Sequence, residues 1–298
     1  MEPIKNRYEF TVIFDVENGN PNGDPDAGNM PRIDPETSIG LVTDVCLKRK
    51  IRNFVDIYKE DKRGYNILIK SGKALNTKFA ETYKAIGADA KKKMSANEKA
   101  EVIEKAEVIE KAKKYMCENY FDVRTFGAVM STTGEACPCG TVRGAVQFSF
   151  AKSIDPVYPQ ELSITRQIRT NEKERETGEG TMGRKSIVSY GLYRADGYVS
   201  AMLAQKLTKF SEEDLKLLWK AIINMFEHDR SAARGKMCVR KLYVFKHDSL
   251  LGNASANVLF DKIVISKKYG VEVPRSFNDY EITVDKNMPE GVELQEKA

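Results

Sequence analysis

The sequence predicts an α+β fold, and three of its features support this prediction. Residues 7–17 alternate between apolar and other side chains, as in a strand with one buried face. Residues 211–229 repeat large apolar side chains every three or four positions, as in a helix packed on a core. The 298 residues are enough to bury a sizeable core, and we expect one elaborated domain over residues 1–298.

A loop rich in turn-forming residues follows the first strand. Residues 18–32 read NGNPNGDPDAGNMPR, and the Gly, Asn and Pro residues of this opening loop supply turns and positive φ angles. A helical pattern then begins at Leu41, with Thr43 as its N-cap. Its apolar face comprises Leu47, Ile51, Phe54, Val55 and Tyr58.

The same helix has basic side chains away from its apolar face. Arg49 and Arg52 are predicted on the opposite side, and Lys48 on the flank. A basic run of this kind is as often a solvated surface as a binding surface. Its position directly after a glycine-rich loop favours binding.

A helical insertion is predicted over residues 60–120. It is rich in Ala, Glu and Lys, and the hexapeptide EKAEVI occurs twice in a row at 98–109. A repeat protein needs several copies of a larger unit, so we interpret this as a local duplication in an exposed insertion without chemistry.

Two strand-like runs, 121–131 and 142–153, predict a hairpin with an elaborated connection. Cys137 and Cys139 lie in that connection, but a tetrahedral zinc site needs four ligands and no second pair accompanies them. Structural or incidental thiols are therefore the favoured interpretation.

Residues 160–190 form two strand-like arms around a polar tip that contains glycine. Such a segment cannot bury a core of its own and should project from the domain. Its basic residues make it either a basic finger or a charged loop, and these residues are Arg166, Arg169, Arg184 and Lys185.

The remaining predicted helix and strands complete the order of secondary structure elements along the chain. The helix of residues 211–229 starts with Ser211 as its cap and Asp214 three positions later. Strand patterns follow at 239–248, 258–266 and 280–284. Without the insertions the order is β-α-β-β-α-β, the ferredoxin-like arrangement of RNA-recognition domains.

Several classes of enzyme have little support in this sequence. It has only two His, outside any metal or nucleophile motif, and it lacks a phosphate-binding G-x-x-x-x-G-K-[ST] loop. Carboxylates in and beside the opening loop could bind Mg²⁺, although turn-forming roles are favoured over metal binding. These carboxylates are Asp15, Glu17, Asp24, Asp26 and Asp34.

Composition indicates the compartment and, weakly, the partner. Five Cys, an odd number, and no hydrophobic leader at the first residues favour a reducing, cytoplasmic compartment. No apolar run is long enough for a membrane helix. The net charge of +5 is only a mild indication of nucleic acid, because acidic residues are also abundant.

Binding to a ribose-phosphate backbone is the chemistry that these residues fit best. The glycine loop offers N–H groups, the N-terminus of the next helix favours anions, and Lys48, Arg49 and Arg52 add positive charge. Contacts of this kind bind RNA with little regard for its sequence. No cofactor or metal is expected.

The stretches VENGNPNGDPDAGNMPRID and GLVTDVCLKRKIRN, at 16–34 and 40–53, resemble the backbone subunit of type I-C CRISPR-associated Cascade complexes. This is the Csd-two branch of the Cas-seven family, and the resemblance extends over essentially the whole chain. It implies a ferredoxin-like palm, helical fingers at 60–120 and a β-hairpin thumb at 160–190.

The resemblance also implies a function and partners. Several copies would stack along one guide RNA (crRNA), and each thumb would reach over a neighbouring copy and displace a nucleotide at regular intervals. The bases between would then pair with target DNA in antiviral defence, so that pairing reads the sequence while protein reads shape and charge. The expected partners are the Cas-five and large-subunit proteins and a recruited helicase-nuclease.

The resemblance places particular residues beside RNA. In the loop these are Asn18, Asn20, Asn22 and Arg32; on the helix they are Lys48, Arg49 and Arg52; in the thumb they are Arg166, Arg169, Met182, Arg184 and Lys185. An apolar residue such as Met182 can wedge between bases while basic arms bind phosphates.

One alternative function remains open at this point. Related subunits of type III complexes cut RNA with an Asp in the loop after the first strand, and Asp34 lies in the corresponding region. Type I relatives are not expected to cleave, and Asp34 could simply orient the loop. A metal-dependent ribonuclease is therefore the second hypothesis.

Overall fold

The computed structural model describes residues 2–60, 62–88, 99–130, 137–165 and 182–298. Its strands are β1 Tyr8–Gly19, β2 Gly23–Asp24, β3 Met30–Pro31, β4 Ile39–Val42, β5 Gly127–Val129, β6 Thr141–Arg143, β7 Val146–Phe148, β8 Ala151–Pro156, β9 Pro159–Thr165, β10 Met182–Val199, β11 Lys236–His247, β12 Ile263–Lys267, β13 Tyr280–Val284 and β14 Val292–Glu296. Its helices are α1 Asp44–Tyr58, α2 Leu75–Ala85, α3 Lys99–Asn119, α4 Phe121–Phe126, α5 Ala201–Leu203, α6 Glu212–Asn224 and α7 Ala256–Phe260.

The fold is mixed α/β and is organised around one antiparallel sheet. Within the described ranges this sheet has eight strands, in the order β14-β11-β1-β10-β8-β4, with β7 and β9 also paired to β10. The central strand β1 is antiparallel to both β10 and β11. The long β10 therefore pairs with β1 over one part of its length and with β9 over another.

Helices α1 and α6 cover one face of the sheet. Phe10 and Phe14 of β1 share a core with Ile51 of α1 and with Trp219 of α6. The rings of Phe10 and Trp219 pack edge to face, with centroids 5.1 Å apart. The apolar spacing of both helices produces this layer, because residues three and four apart project to the same side.

The other face of the sheet is covered too, contrary to the one-sided burial predicted for the first strand. Ile13 of β1 packs in a second cluster with Phe245, Leu259 and Tyr280 from the C-terminal part of the chain. The run of apolar residues in β1 is explained by this double coverage, since a strand buried on both faces has no need for polar alternation.

A third cluster lies apart from the sheet. It joins α2 and α3 to β5 and β6, and Phe79, Met116, Cys139 and Val142 are buried in it. The assignment of residues 60–120 as fingers remains a prediction.

Two predicted strands begin instead as helices. Residues 121–126 form α4, and only 127–129 are a strand, which pairs with β6. The predicted strand at 258–266 likewise starts within α7 and becomes extended at Ile263. In α4 the polar side chains decide the structure, because Asp122 and Arg124 are both buried and both ion-paired.

Across the described ranges, every helix is too short or too polar to cross a bilayer.

Candidate nucleic-acid interface

Three segments of the chain meet at one end of the main sheet, here called the loop end. Strand β1 reaches this end at Gly19, which pairs with Val188 of β10, while Glu17 pairs with Lys236 of β11. The loop end therefore gathers the opening loop, the base of the β9–β10 hairpin and the segment 229–236.

The opening loop is folded on itself by hydrogen bonds. The Asn20 side-chain amide donates to the Asn29 carbonyl at 2.7 Å, and the backbone N–H of Asn29 donates to the Asp24 carbonyl at 2.7 Å. The N–H of Arg32 donates to the Asn22 carbonyl at 3.1 Å. These amides are occupied, so the expectation of a loop with its N–H groups open to RNA is wrong for them.

Two glycines allow the backbone segments at the loop end to approach each other closely. A Cβ atom on Gly19 would lie 1.9 Å from the carbonyl oxygen of Arg234, and one on Gly235 would lie 2.4 Å from that of Asn18. Gly235 also has a φ of +62°, which side chains disfavour. The N–H of Asn20 donates to the Ala233 carbonyl at 2.8 Å, so the opening loop and the segment 229–236 are fixed to each other.

The opening loop is also tied to the start of α1. Oδ1 of Asn22 accepts from both the N–H and the hydroxyl of Thr43, each at 2.9 Å. Thr43 is the N-cap, as predicted, and its hydroxyl accepts from the N–H of Cys46. The half-buried Asn22 side chain thus positions the start of α1, because its Oδ1 atom accepts both hydrogen bonds from Thr43.

A cleft of about 420 Å³ separates the opening loop from the hairpin base. Three of the predicted RNA-binding residues line it: Asn20 on one wall and Arg184 and Lys185 on the other. The Arg184 side chain is 76% exposed and pairs loosely with Glu161 across the hairpin, at 3.3 Å. An exposed pair of this kind is weak and leaves the guanidinium available to an anion.

The remaining predicted loop residues differ in exposure. Asn18 is exposed and adopts a left-handed φ of 50°. Arg32 is half-buried, with Nη2 3.3 Å from Oδ1 of Asp24, and its Nε has no hydrogen-bond partner among the described atoms. Asn20 is 5% exposed and acts mainly within the loop.

On α1 the structure corrects the predicted basic face. Arg52 was placed on the outer side, but it is buried and donates from Nε to Asp122 at 2.9 Å. The guanidinium also lies over the ring of Phe126, at 5.2 Å from its centroid. Arg52 turns inward because it supplies the charged partner that the buried carboxylate of Asp122, held by α4, requires.

Its two neighbours are distributed differently. Arg49 is exposed and donates to the carbonyl of Ile69 at 2.5 Å. Lys48 is largely covered, and its ammonium contacts Asp44 at 2.9 Å and Gln147 at 3.1 Å. Neither Lys48 nor Arg49 lines the cleft, so the structure does not bring the cations of α1 together with those of the hairpin base.

The hairpin base is described, and its outer part is not. Residues 182–188 of β10 pair with 159–165 of β9, and the last pair is Met182 with Thr165. The predicted residues Arg166 and Arg169 lie outside the described residues, as does the side chain of Met182. Their roles remain predictions.

Asp34 has a structural role in its own turn. One carboxylate oxygen accepts from the N–H of Glu36 at 3.1 Å, and the other accepts from the hydroxyl of Thr37 at 2.8 Å. These two hydrogen bonds, first that from Thr37, lower the pKa of the Asp34 carboxyl. This is the Asx-turn chemistry expected of a loop-orienting residue.

Three other carboxylates around the loop have partners as well. Asp15 is buried and pairs with Arg240 at 2.8 Å, and Glu17 pairs with Lys236 at 2.9 Å. Asp24 caps the short 3-10 helix at 25–27. In the described parts of the chain, no group of three or more His, Cys, Asp or Glu is placed to bind a metal ion.

The segment 229–236, DRSAARGK, was not singled out from the sequence, although it has three basic residues. Arg234 is 35% exposed and its Nε lies 3.2 Å from Oδ2 of Asp229. The sequence did contain a signal for this segment. In the predicted strand order, the start of the last core strand lies beside the end of the first strand, which places the segment next to the opening loop.

Comparison with known proteins adds the following. The family model for CRISPR-associated protein Cas7 matches residues 6–285. A CRISPR-associated protein Cas7 from Haloferax volcanii is 29% identical over 241 residues, which cover 74% of this chain and 65% of that protein's length.

Two solved structures are weakly similar to this fold. One is a chain of a "CRISPR RNA-guided surveillance complex, pre-nicking", with a TM-score of 0.48 and 16% identity, covering 80% of this chain and 78% of that one. The other is a chain of a "CRISPR RNA-guided surveillance complex", with a TM-score of 0.43 and 14% identity, covering 80% of this chain and 68% of that one.

Proposed function

This chain belongs to the Cas7 family of CRISPR-associated proteins, and we propose that it is a non-catalytic subunit that polymerises along CRISPR guide RNA. In this proposal the stacked copies form the backbone of a type I-C Cascade complex in the cytoplasm. They present the guide for pairing with target DNA, together with Cas-five and large-subunit partners and a recruited helicase-nuclease.

The cleft at the loop end is the observation that carries the proposal. Residues Arg184 and Lys185 of β10 line this solvent-open groove opposite the opening loop, and the Arg184 side chain is 76% exposed. Exposed cations along a groove are the means by which proteins hold a phosphate chain irrespective of its sequence. A backbone subunit needs this property because each copy meets a different stretch of guide.

The strand order supports a ferredoxin-like palm for this proposal. Strands β1, β8, β10 and β11 would be the first to fourth strands of the motif, with α1 after the first and α6 after the third. Their spatial order in the sheet is fourth, first, third, second, with all neighbours antiparallel. The β9–β10 hairpin would then be the base of the thumb.

A ribonuclease centred on Asp34 has less support. Both carboxylate oxygens of Asp34 are engaged within its own turn, Asp15 and Glu17 pair with cations, and Asp24 caps a turn. Metal-assisted cleavage of RNA uses carboxylates that converge on the metal ions. We therefore favour binding over cleavage.

Gel filtration of the purified chain, with absorbance at two wavelengths before and after ribonuclease, tests the proposal. We expect large particles that contain RNA and that shrink on digestion. A chain free of nucleic acid that stays monomeric with added single-stranded RNA, even with the Cas-five partner present, would contradict it.

A further inference from the structure

The segment Asp229–Lys236 contains a cation that neither the sequence patterns nor the family match assigns to a function. Its Arg234 side chain is partly exposed at the loop end, beside the opening loop. Whether this guanidinium can bind a ligand depends on which of its N–H groups contact other residues of the chain.

A buried lysine fixes the carboxylate that holds Arg234. The ammonium of Lys50 on α1 is 1% exposed, pairs with Oδ2 of Asp229 and lies 5.6 Å from the ring centroid of Phe226. The same oxygen of Asp229 lies 3.2 Å from Nε of Arg234. One carboxylate therefore serves two cations, and this group of three side chains keeps a net positive charge.

Among the described residues, the Nη groups of Arg234 donate no hydrogen bond. Asp229 pairs with the guanidinium on its Nε side, whereas a guanidinium has five N–H donors in a planar fork. The Nη groups are the ones that bind phosphate bidentately. A guanidinium held on its Nε side and exposed at its tip is pre-organised for such a contact.

The backbone of the segment is rigid as well. The N–H of Arg234 donates to the carbonyl of Ser231 at 3.1 Å, and its own carbonyl fits against Gly19 where no Cβ could stand. Arg234 is thus presented by a tight turn locked to the opening loop. A cation on a fixed support loses little conformational entropy when it binds an anion.

Arg234 also shares its surroundings with Arg32, which the sequence assigned to RNA binding. Both guanidinium groups act on the Cys46 thiol at the start of α1: burial raises the pKa of this thiol, and Lys50, Arg234 and Arg32 oppose the rise. Two arginines from different segments are therefore near enough to the Cys46 thiol to influence it. Within the described parts of the chain each pairs with one carboxylate, Asp24 for Arg32 and Asp229 for Arg234.

We propose that Arg234 binds a phosphate of the same RNA strand that passes the opening loop, with Asp229 and Lys50 as positioning residues. The inference rests on the proposed function and extends it to a third segment of the loop end. The ligand is a single-stranded ribose-phosphate backbone, and the contact is indifferent to base identity.

Titrations of single-stranded RNA over a range of salt concentrations test the proposal. Arg234→Gln should weaken binding of unrelated RNA sequences by the same factor, and it should reduce the slope of log affinity against log salt by about 0.7 for one lost phosphate contact. Arg234→Lys keeps the charge and should retain most of the slope. Fluorescence anisotropy gives both quantities.

Lys5→Gln is the matched control, since it also removes one positive charge. Lys5 is 75% exposed and precedes β1, so that the twelve residues of β1, about 40 Å, separate it from the loop end. It should leave the slope unchanged. An Arg234→Gln slope equal to that of the wild type would overturn the inference while leaving the proposed function intact, whereas a wild type that fails to bind RNA would remove both.

The positioning role has its own variant. Lys50→Met with Asp229→Asn removes both charges, so no unpaired buried charge is left to unfold the chain. Arg234 remains but loses its anchor, and we expect RNA affinity to fall toward that of Arg234→Gln with little change in melting temperature. Wild-type affinity in this double variant would overturn the positioning role.

Discussion

Among single residues, burial decides which cations of α1 can meet a ligand. Arg49 and Arg52 are three positions apart and identical in chemistry, yet one is exposed and the other is enclosed by Asp122 and Phe126. Asp122 also accepts from the backbone N–H groups of Leu68 and Ile69, at 2.8 and 3.1 Å. Arg52 therefore holds a junction between α1, α4 and the segment after residue 65.

The same substitution should lower the stability of the fold at Arg52 and the affinity for RNA at Arg49. Arg52→Gln leaves the buried carboxylate of Asp122 without its charged partner, and it should lower the free energy of unfolding by about 3–5 kcal/mol. Arg49→Gln should change that free energy by less than about 1 kcal/mol and instead weaken RNA binding. Urea unfolding and RNA titration measure the two effects. Equal losses of stability would show that the burial difference has no energetic consequence.

Asp34 gives a prediction about both chemistry and pH. Asp34→Asn should leave RNA binding unchanged, and the wild type should not cut labelled RNA with Mg²⁺ or with chelator. Because hydrogen bonds lower the pKa of Asp34, its contribution to stability is present above the ordinary carboxyl pKa and is lost only as pH falls through the lower, folded value. Unfolding at pH 5–8 should therefore show no titration from this group. Scission that needs Mg²⁺ and disappears in Asp34→Asn would establish the ribonuclease instead.

Among elements, α6 shows how a local signal and a long-range ion pair combine. Ser211 and Asp214 form a reciprocal capping box, as the sequence predicts. The Asp214 carboxylate also receives Nε and Nη2 of Arg124 from α4, at 2.9 and 2.7 Å. One side chain thus starts α6 and joins it to the helix that the sequence did not predict.

Two variants separate these roles of Asp214. Ser211→Ala removes the side-chain cap and should cost about 1 kcal/mol of the free energy of unfolding. Asp214→Ala also leaves the buried guanidinium of Arg124 without its carboxylate partner, and it should lower the free energy of unfolding by about 3–5 kcal/mol. Denaturant unfolding of both proteins gives the comparison, and similar losses would mean that the Arg124 pair adds nothing to the cap.

The sequence could predict elements whose structure depends on their own residues, and it failed where the structure depends on distant residues. Elements decided by their own residues were predicted: α1 with Thr43 as its cap is one, and α6 is another. Residues 121–126 were predicted wrongly, because their fold depends on Arg52 and Asp214, 70 and 90 positions away. For the site, Arg184 and Lys185 were named individually, but their position opposite Asn20 follows from the register of β1 and β10, which no local pattern contains.

The β9–β10 hairpin should be separable from the domain. Its last described pair, Thr165 with Met182, is suited to a two-residue Asn-Gly turn, the commonest link between directly paired residues. Replacing residues 166–181 by Asn-Gly should keep the melting temperature close to that of the wild type, because the three core clusters of the described residues are already complete without that segment. In the proposed function it should abolish ordered assembly on RNA. Unchanged assembly in a folded variant would contradict the thumb assignment.

In the whole molecule, the two-sided core leaves the loop end as the place where three distant segments present their polar groups. The helices cover one face of the sheet and the C-terminal residues cover the other. The opening loop, the hairpin base and the segment 229–236 are fixed at the end of the strands. Such a rigid groove suits a strand that passes through rather than a small molecule that is enclosed.

Assembly on RNA of increasing length tests this interpretation of the whole molecule. If each copy holds a fixed number of nucleotides at its loop end, the bound mass should rise in steps of one 33.6 kDa chain as the RNA is lengthened, with plateaus between. Steps of equal nucleotide length are expected because backbone hydrogen bonds fix the segments that bear the groove to one another. Mass photometry on a ladder of single-stranded RNAs, with the Cas-five partner added if nucleation requires it, measures the steps. The Asn-Gly hairpin variant is the control: it should bind RNA without regular steps, since it keeps the groove but lacks residues 166–181, which in the proposed function reach a neighbouring copy. A continuous rise in mass for the wild type would indicate independent electrostatic binding and would contradict a stacked backbone.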